Sequence, residues 1–185
     1  MQDNRLGIAH ASKMATEYLL SDEAFIVSGK INGAATAKGQ AHNENFAKHL
    51  TAMGEPYESF DAKQMREITG SSYYQDGLFT PGTAMIQPAM YIRGVAQGLG
   101  QDGVTIYEDS PVTALNNNGN WVVETPQGQV SSPRVILAVN GHLNSFGYAK
   151  SRLMHVFTYA SMTRALTPQE IGKLGGNPIW GLTPA

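Results

Sequence analysis

Two spacings of apolar residues alternate along the first hundred positions of the chain. Apolar residues that recur every three or four positions predict helices, and they do so at 5–20, 41–53, 62–69 and 88–99. Shorter runs between the helices predict one or two strands in 24–39, a strand in 57–61, and a hairpin in 73–87, a stretch rich in turn residues. Asp61 is expected to cap the third helix, and Pro88 suits the first turn of the fourth.

The second half of the chain is dominated by predicted strands. Val104 and Ile106 alternate as strand residues do, and three short strands separated by NNNGN and PQG predict an antiparallel meander in 111–132. The uninterrupted apolar run at 135–139 predicts a strand buried on both faces. The alternation in 153–166 predicts a long strand, with Thr167 capping a short helix after it. The tail that follows is expected to add no closing element.

The hexamer GLGQDG at residues 98–103 matches the G-x-G-x-x-G pattern of dinucleotide-binding proteins. That pattern binds a pyrophosphate only when a strand precedes it and a helix begins within it, because the amides at the helix N-terminus must face the phosphates. Here a predicted helix comes before the hexamer and a predicted strand comes after it. The glycines are therefore interpreted as the end of a helix and a turn.

Composition narrows the functional classes. The 185 residues are 42% hydrophobic and 15% charged, with a formal net charge of −2, which is typical of a soluble globular protein and favours neither nucleic acid nor a charged membrane surface as partner. Cysteine is absent, so disulfides and thiolate chemistry are excluded. No apolar stretch is long enough to span a membrane and no signal peptide is evident, so a cytoplasmic location is expected. His42 and His49 lack a third ligand nearby, so no metal site is predicted.

These elements together predict an α+β fold. Its parts are a mixed or largely antiparallel sheet with helices, a three-stranded meander, and one buried strand. Residues that build the mixed sheet lie on both sides of 87–141 in the sequence. We therefore expect two interleaved domains rather than one clean boundary.

The order of the later segments resembles the D-amino-acid oxidase family of FAD-dependent oxidoreductases. The likeness is carried by IQPAMYIRGVAQGLGQDGVTIYEDSPVTAL and WVVETPQGQVSSPRVILAVNGHL, followed by MTRALTPQEI. Within the family, the chain is most similar to amine oxidases of the γ-glutamylputrescine oxidoreductase type. The resemblance implies substrate-domain segments at 25–86 and 152–181, part of an incomplete FAD-binding domain at 87–141, and a helical lead-in at 1–24. It also implies an interior fragment that lacks the N-terminal fingerprint and the C-terminal flavin segment.

Four residues are implied by the resemblance to lie against FAD in the intact enzyme. The backbone of Val112 would read the adenine edge, and Ala138, Asn140 and Gly141 would pass close to the cofactor. Small residues suit such a close approach, although Asn-Gly is also a common turn pair. Many relatives carry glycine in place of Asn140 and an aromatic residue in place of His142, so no contact is assigned to His142.

The same resemblance places a strand with three candidate pocket residues over the flavin. Phe157 and Tyr159 would wall the substrate pocket, and Arg164 would bind a substrate carboxylate through two hydrogen bonds. The alternative, which the residues themselves favour, is a packed sheet with a solvated arginine. No catalytic residue is assigned.

Two functions remain open at this stage. The first is a fragment of an FAD-dependent enzyme that oxidises a C–N bond of an amine or amino acid, with a substrate such as γ-glutamylputrescine. The second is a non-catalytic module that binds a small molecule or a protein partner. In either case this chain alone is expected to hold FAD weakly, and it is expected to form homodimers through apolar surface at the buried strand.

Overall fold

The structure is a computed structural model that describes residues 2–154, 156–161, 163–173 and 182–184. Contacts within the chain form two compact units, residues 1–104 together with 163–185, and residues 105–162. These boundaries differ from those expected at 87 and 141. The assignment of the sequence segments to a substrate domain and an FAD-binding domain stays a prediction.

The first unit holds two long helices around a small apolar core. Helix α1 spans Gln2–Glu17 and helix α4 spans Pro88–Gln101. Between them lies a short antiparallel pair of strands, β1 (Phe25–Ile26) and β5 (Met85–Ile86). The rings of Phe25 and Tyr91 lie 5.7 Å apart in the core, and the Tyr91 hydroxyl donates a 3.0 Å hydrogen bond to the Ala11 carbonyl.

The same unit contains a four-stranded sheet with the order β3-β4-β2-β9. Its strands are β2 (Lys30–Ala34), β3 (Glu58–Asp61), β4 (Asp76–Thr80) and β9 (Leu182–Pro184). Strand β4 is antiparallel to both neighbours, whereas β9 is parallel to β2. The expected hairpin in 73–87 is wrong, because β4 and β5 pair with different strands. The tail expected to add nothing instead supplies β9.

Two helices follow strands of this sheet. Helix α2 spans Ala37–Ala52 and begins at Thr36, whose hydroxyl accepts from the Gly39 amide. Helix α3 spans Ala62–Thr69, and the Asp61 cap predicted from the sequence is confirmed, with Gln64 completing a reciprocal capping box.

Strand register places the Gly33–Gly77 pair on one face of the sheet. The buried side chain of Met65 fills the space that a Cβ at Gly77 would need.

The glycines of residues 98–103 terminate helix α4, as the sequence predicted. The helix runs to Gln101, and Gly103 adopts a positive φ of 87°. A Cβ at Gly98 would collide with the ring of Tyr18, and one at Gly94 would collide with Leu20. These two glycines lie four residues apart on one face of α4, so they let the segment after α1 approach the helix closely.

The second unit is built on the predicted meander. Strands β6 (Ala114–Asn117), β7 (Trp121–Thr125) and β8 (Gly128–Ser132) pair antiparallel in sequence order. A 3₁₀ helix follows at Asn140–Phe146. Beyond this unit, the short helix α5 (Pro168–Ile171) begins at Thr167 with a capping box, as expected. The α+β class predicted from the sequence is therefore confirmed.

Three predicted strands are absent from the described residues. No strand pairing occurs in residues 104–106, in 135–139 or in the described part of 153–166. Two residues of the last range, His155 and Met162, lie outside the described residues. The side chain of Ile136, expected inside a buried strand, is 91% exposed. The physical reason is the same in each case. A strand needs a neighbouring strand for its hydrogen bonds, and no described segment pairs with these three.

Candidate functional site

Val112 lies just before the first strand of the meander. Its side chain is 39% exposed. The ladder begins at the next residue, where the Thr113 amide donates a 2.8 Å hydrogen bond to the Glu124 carbonyl. Among the described residues, no hydrogen bond involves the backbone N–H or C=O of Val112. Both groups are therefore available to a ligand with one donor and one acceptor on the same edge, such as adenine.

A cavity of about 560 Å³ lies at the Asn140–Gly141 turn. Asn140 adopts a positive φ of 49°, which is uncommon for a residue other than glycine and marks a tight turn. The cavity brings Asn140, Gly141 and Phe157 together, three of the residues singled out in the sequence. It is also lined by His142, to which the sequence analysis assigned no contact, and by Leu143, Leu153, Met154 and Val156, which were not singled out.

The other candidates lie outside this cavity. Val112 and Ala138 do not line it. Tyr159 also does not line it, and its side chain is 99% exposed. Phe157 lines the cavity and is nevertheless 82% exposed, because 156–161 is not part of a sheet. Its face is therefore open to a ligand.

Arg164 makes a bidentate ion pair with Glu170. Its two terminal nitrogens donate hydrogen bonds of 2.9 and 2.7 Å to the two carboxylate oxygens. This pair, together with hydrogen bonds from Thr167, lowers the pKa of Glu170 from 4.5 to about 2. The same carboxylate raises the pKa of Arg164. A substrate carboxylate would have to replace Glu170 in order to bind this guanidinium.

Residues 98–103 do not form a phosphate cradle. The amide of Asp102 donates to the Gly98 carbonyl at 3.1 Å, and that of Gly103 donates to the Gly100 carbonyl at 3.2 Å. The Val104 amide bonds in the same way to Leu99. These donors are used within the end of the helix, where the dipole is also unfavourable for an anion. This hexamer therefore supplies no pyrophosphate site.

A buried polar cluster lies on the sheet of the first unit. The Asn43 side-chain amide on α2 donates to the Asn32 carbonyl at 3.0 Å and to the Asp76 carboxylate at 2.6 Å. In the described part of the chain, the side-chain oxygens of Asn32 and Asn43 are buried without a hydrogen-bond partner. No group of three or more histidine or acidic side chains that could hold a metal ion occurs in the ranges that the structure describes.

The family model for DAO, described as FAD dependent oxidoreductase, matches residues 6–182. The chain belongs to this family. The FAD cofactor and the oxidoreductase class expected from the resemblance are therefore confirmed at the level of the family. No helix within the described residues is long and apolar enough to cross a membrane.

Individual relatives resemble parts of the chain. A probable oxidoreductase OrdL of Rhizobium meliloti is 28% identical over 129 residues, which cover 66% of this chain and 30% of the relative. The γ-glutamylputrescine oxidoreductase of Escherichia coli is 33% identical over 86 residues, which cover 46% of this chain and 20% of the relative.

The fold also resembles that of solved structures. Glycine oxidase from Geobacillus kaustophilus has a TM-score of 0.62 at 18% identity, and the match covers 74% of this chain and 38% of the oxidase. At this identity the likeness concerns the fold alone. The chain spans well under half the length of each of these three proteins.

Proposed function

We propose that this chain is part of an enzyme that uses FAD to oxidise a carbon–nitrogen bond of an amine or amino acid. The observation that carries the proposal is the family match over residues 6–182. The names of relatives support the substrate class, since one acts on γ-glutamylputrescine and one of similar fold on glycine. Bound FAD would supply two-electron oxidation of the C–N bond, and the resulting imine would hydrolyse in water.

The residues of the second unit have distinct parts in this proposal. The free backbone groups of Val112 bind the adenine edge, and the Asn140–Gly141 turn lets the backbone approach the cofactor with little steric hindrance. Ala138 precedes that turn and is expected to be close to the cofactor as well. Phe157 lines the adjacent cavity and offers an apolar wall. Tyr159 stays a pocket candidate. Arg164 belongs to the first unit, and it would bind a substrate carboxylate only if that carboxylate displaced Glu170.

The finer substrate proposal is an amine of the γ-glutamylputrescine type. It rests on the 33% identity to the Escherichia coli enzyme over 86 residues. It would be tested with the full-length enzyme that contains this chain, by assaying hydrogen peroxide or reduced-acceptor formation in the presence of FAD and comparing γ-glutamylputrescine with putrescine and glycine. Preference for either of the other two substrates would reject this assignment.

FAD binding by this chain alone is expected to be weak. A charge-assisted hydrogen bond contributes about 1.5–3 kcal/mol. If two or three such bonds to the pyrophosphate are not made, the affinity of the chain for FAD falls by roughly two to six decades. The chain should therefore be colourless after desalting, while FAD added at millimolar concentration should still shift the amide NMR signals of Val112, Asn140 and Gly141.

Two results would contradict this picture in different ways. A yellow protein that retains flavin through desalting would show that the pyrophosphate is bound tightly by other residues of this chain. The absence of any FAD-induced shift in the second unit would favour the alternative function, a non-catalytic module. Addition of AMP and of FMN separately would show which end of FAD causes the shifts.

A further inference from the structure

A second cavity lies in the first unit and has a volume of about 550 Å³. Its apolar wall comes from two helices, with Ile8 on α1 and Phe46 and Leu50 on α2. Leu50 is buried, so this wall belongs to the packed interior rather than to loose surface. Lys30 and Thr80 line it from the sheet, where they are partners in the β2–β4 register and therefore share a face. A cavity of this size accommodates a small organic molecule.

Two basic side chains line this cavity, and within the described residues only Arg5 forms an ion pair. Arg5 and Glu55 both line the cavity and form an ion pair with each other. The Glu55 side chain is only 18% exposed, so its charge is held by Arg5 and is not directed to solvent. Within the ranges that the structure describes, no carboxylate forms an ion pair with Lys30, which is half-buried at the start of β2.

A half-buried ammonium beside an apolar wall selects for a particular ligand chemistry. An anionic ligand would supply the opposite charge and the hydrogen-bond acceptors that the half-buried ammonium lacks. The apolar wall gains from covering a hydrocarbon or aromatic group at the same time. A cationic or strongly polar ligand would gain neither contribution.

From this arrangement we propose that the cavity between α1, α2 and the β2–β4 strands binds a small monocarboxylate with an apolar body, with Lys30 as the group that binds the carboxylate. Thr80 and Thr83 also line the cavity, and their hydroxyls would supply further donors to a carboxylate there. The site is distinct from the cavity at Asn140 and does not rest on the proposed FAD chemistry.

The test uses the whole 185-residue chain and two probes that differ in charge. 4-Phenylbutyrate and 4-phenylbutylamine share the same apolar body and carry opposite charges at pH 7. Binding is measured by titration calorimetry and by amide NMR shifts. We expect 4-phenylbutyrate to bind and to shift the signals of Lys30, Phe46 and Thr83, and the amine to bind at least about tenfold more weakly. Equal binding of both probes, or no binding of the carboxylate, would overturn the proposal.

Variants separate the role of Lys30 from a general effect of charge. K30M keeps the aliphatic stem and is expected to weaken 4-phenylbutyrate binding by about tenfold to hundredfold, the range for a lost charge-assisted hydrogen bond. K30R should retain most of the affinity. K48M removes an exposed lysine of α2 that does not line the cavity, and it should leave binding unchanged. An undiminished affinity in K30M, or an equal loss in K48M, would reject Lys30 as the binding group. If K30M fails to fold, the probe comparison on the unmodified chain still decides the matter.

Discussion

Glu170 is surrounded by hydrogen-bond donors that favour its charged form. Arg164 donates to both carboxylate oxygens, and Thr167 donates from its amide at 2.8 Å and from its hydroxyl at 3.0 Å. The guanidinium of Arg164, which was a candidate to bind a substrate carboxylate, is therefore already paired with the carboxylate of Glu170. Nothing in the sequence indicated this pair, because residues six apart come together only through the turn at Thr167.

We expect the carboxyl of Glu170 to titrate near pH 2 in the folded chain, against an ordinary value of 4.5. Because the folded pKa is lowered, the stabilisation of this segment is complete above pH 4.5 and is lost as the pH falls towards 2. Carbon-13 NMR of the side-chain carboxyl would measure the midpoint. R164Q should move the midpoint back towards 4.5, whereas R152Q, a change outside the ion pair, should not. An unshifted midpoint in the unmodified chain would contradict the pairing.

A second expectation at this scale concerns Asn43, which is 3% exposed. Replacing it with alanine leaves the Asp76 carboxylate and the Asn32 carbonyl without their donor. We expect N43A to lower the free energy of unfolding by about 2–3 kcal/mol, since hydrogen bonds to charged groups are the stronger ones. The control is N45A on the exposed side of the same helix, expected to change stability by less than about 0.5 kcal/mol. Urea unfolding followed by circular dichroism measures both, and equal losses would exclude a special role for Asn43.

At the scale of elements, helix α4 offers a pair of glycines with different surroundings. G98A introduces a Cβ into the ring of Tyr18, and we expect it to cost about 1–3 kcal/mol, as overpacking does. G100A meets no atom within 4 Å, so it should stabilise the chain by about 0.5–1 kcal/mol through the helix propensity of alanine. Thermal unfolding of the two variants in parallel measures the difference. A stabilising G98A would show that α4 does not approach Tyr18 as described.

Elements that depend on local sequence were predictable, and those that depend on a distant partner were not. Asp61 and Thr167 cap their helices, and Gly103 ends α4, because each signal acts within a few residues. The apolar run 135–139 carries the composition of a strand, but composition does not say which neighbour will pair with it. For the same reason the sequence placed β4 and β5 in one hairpin.

The candidate site was predictable only in part. Asn140, Gly141 and Phe157 were singled out because the family resemblance implied them, and all three line the same cavity. Leu153 and Met154 also line that cavity but carry no chemical signal in the sequence. Lys30 was not singled out either, because the pairing state of a lysine depends on residues such as Glu55 and Arg5 that are distant in the chain.

At the scale of the whole molecule, we expect local stability to differ between segments of the first unit and segments of the second. Amides in β2 and β4 should exchange slowly with deuterium, because these strands are hydrogen-bonded to each other and contain buried residues. Amides in 135–139 and 156–161 have no strand hydrogen bonds, and they should exchange within seconds at neutral pH. Mass spectrometry after pulse labelling would compare these segments. Strong protection at 135–139 would show that a strand forms there after all.

Exposed apolar side chains give a further expectation at this scale. Ile136, Met154 and Val156 are 91%, 85% and 73% exposed, all within the second unit. Apolar surface of this kind promotes association, so we expect the chain to form dimers at high concentration. Light scattering after size exclusion would detect them, and the double variant I136K/V156K should reduce the dimer fraction. The control variant K38Q/K48Q, which changes two residues of α2, should leave the dimer fraction unchanged. A chain that stays monomeric at all concentrations would contradict the expectation.

The parallel pairing of β9 with β2 has a consequence for synthesis on the ribosome. Strands β2, β3 and β4 are all made by residue 80, yet Leu182, the partner of Ile31, is made about a hundred residues later. During that interval one edge of β2 has free N–H and C=O groups, and such an edge can pair with a strand of another nascent chain. If β2, β3 and β4 pair before Leu182 is made, they form a three-stranded sheet with an open edge. Slower translation between residues 80 and 182 would then lengthen the time during which that edge can bind chaperones or aggregate.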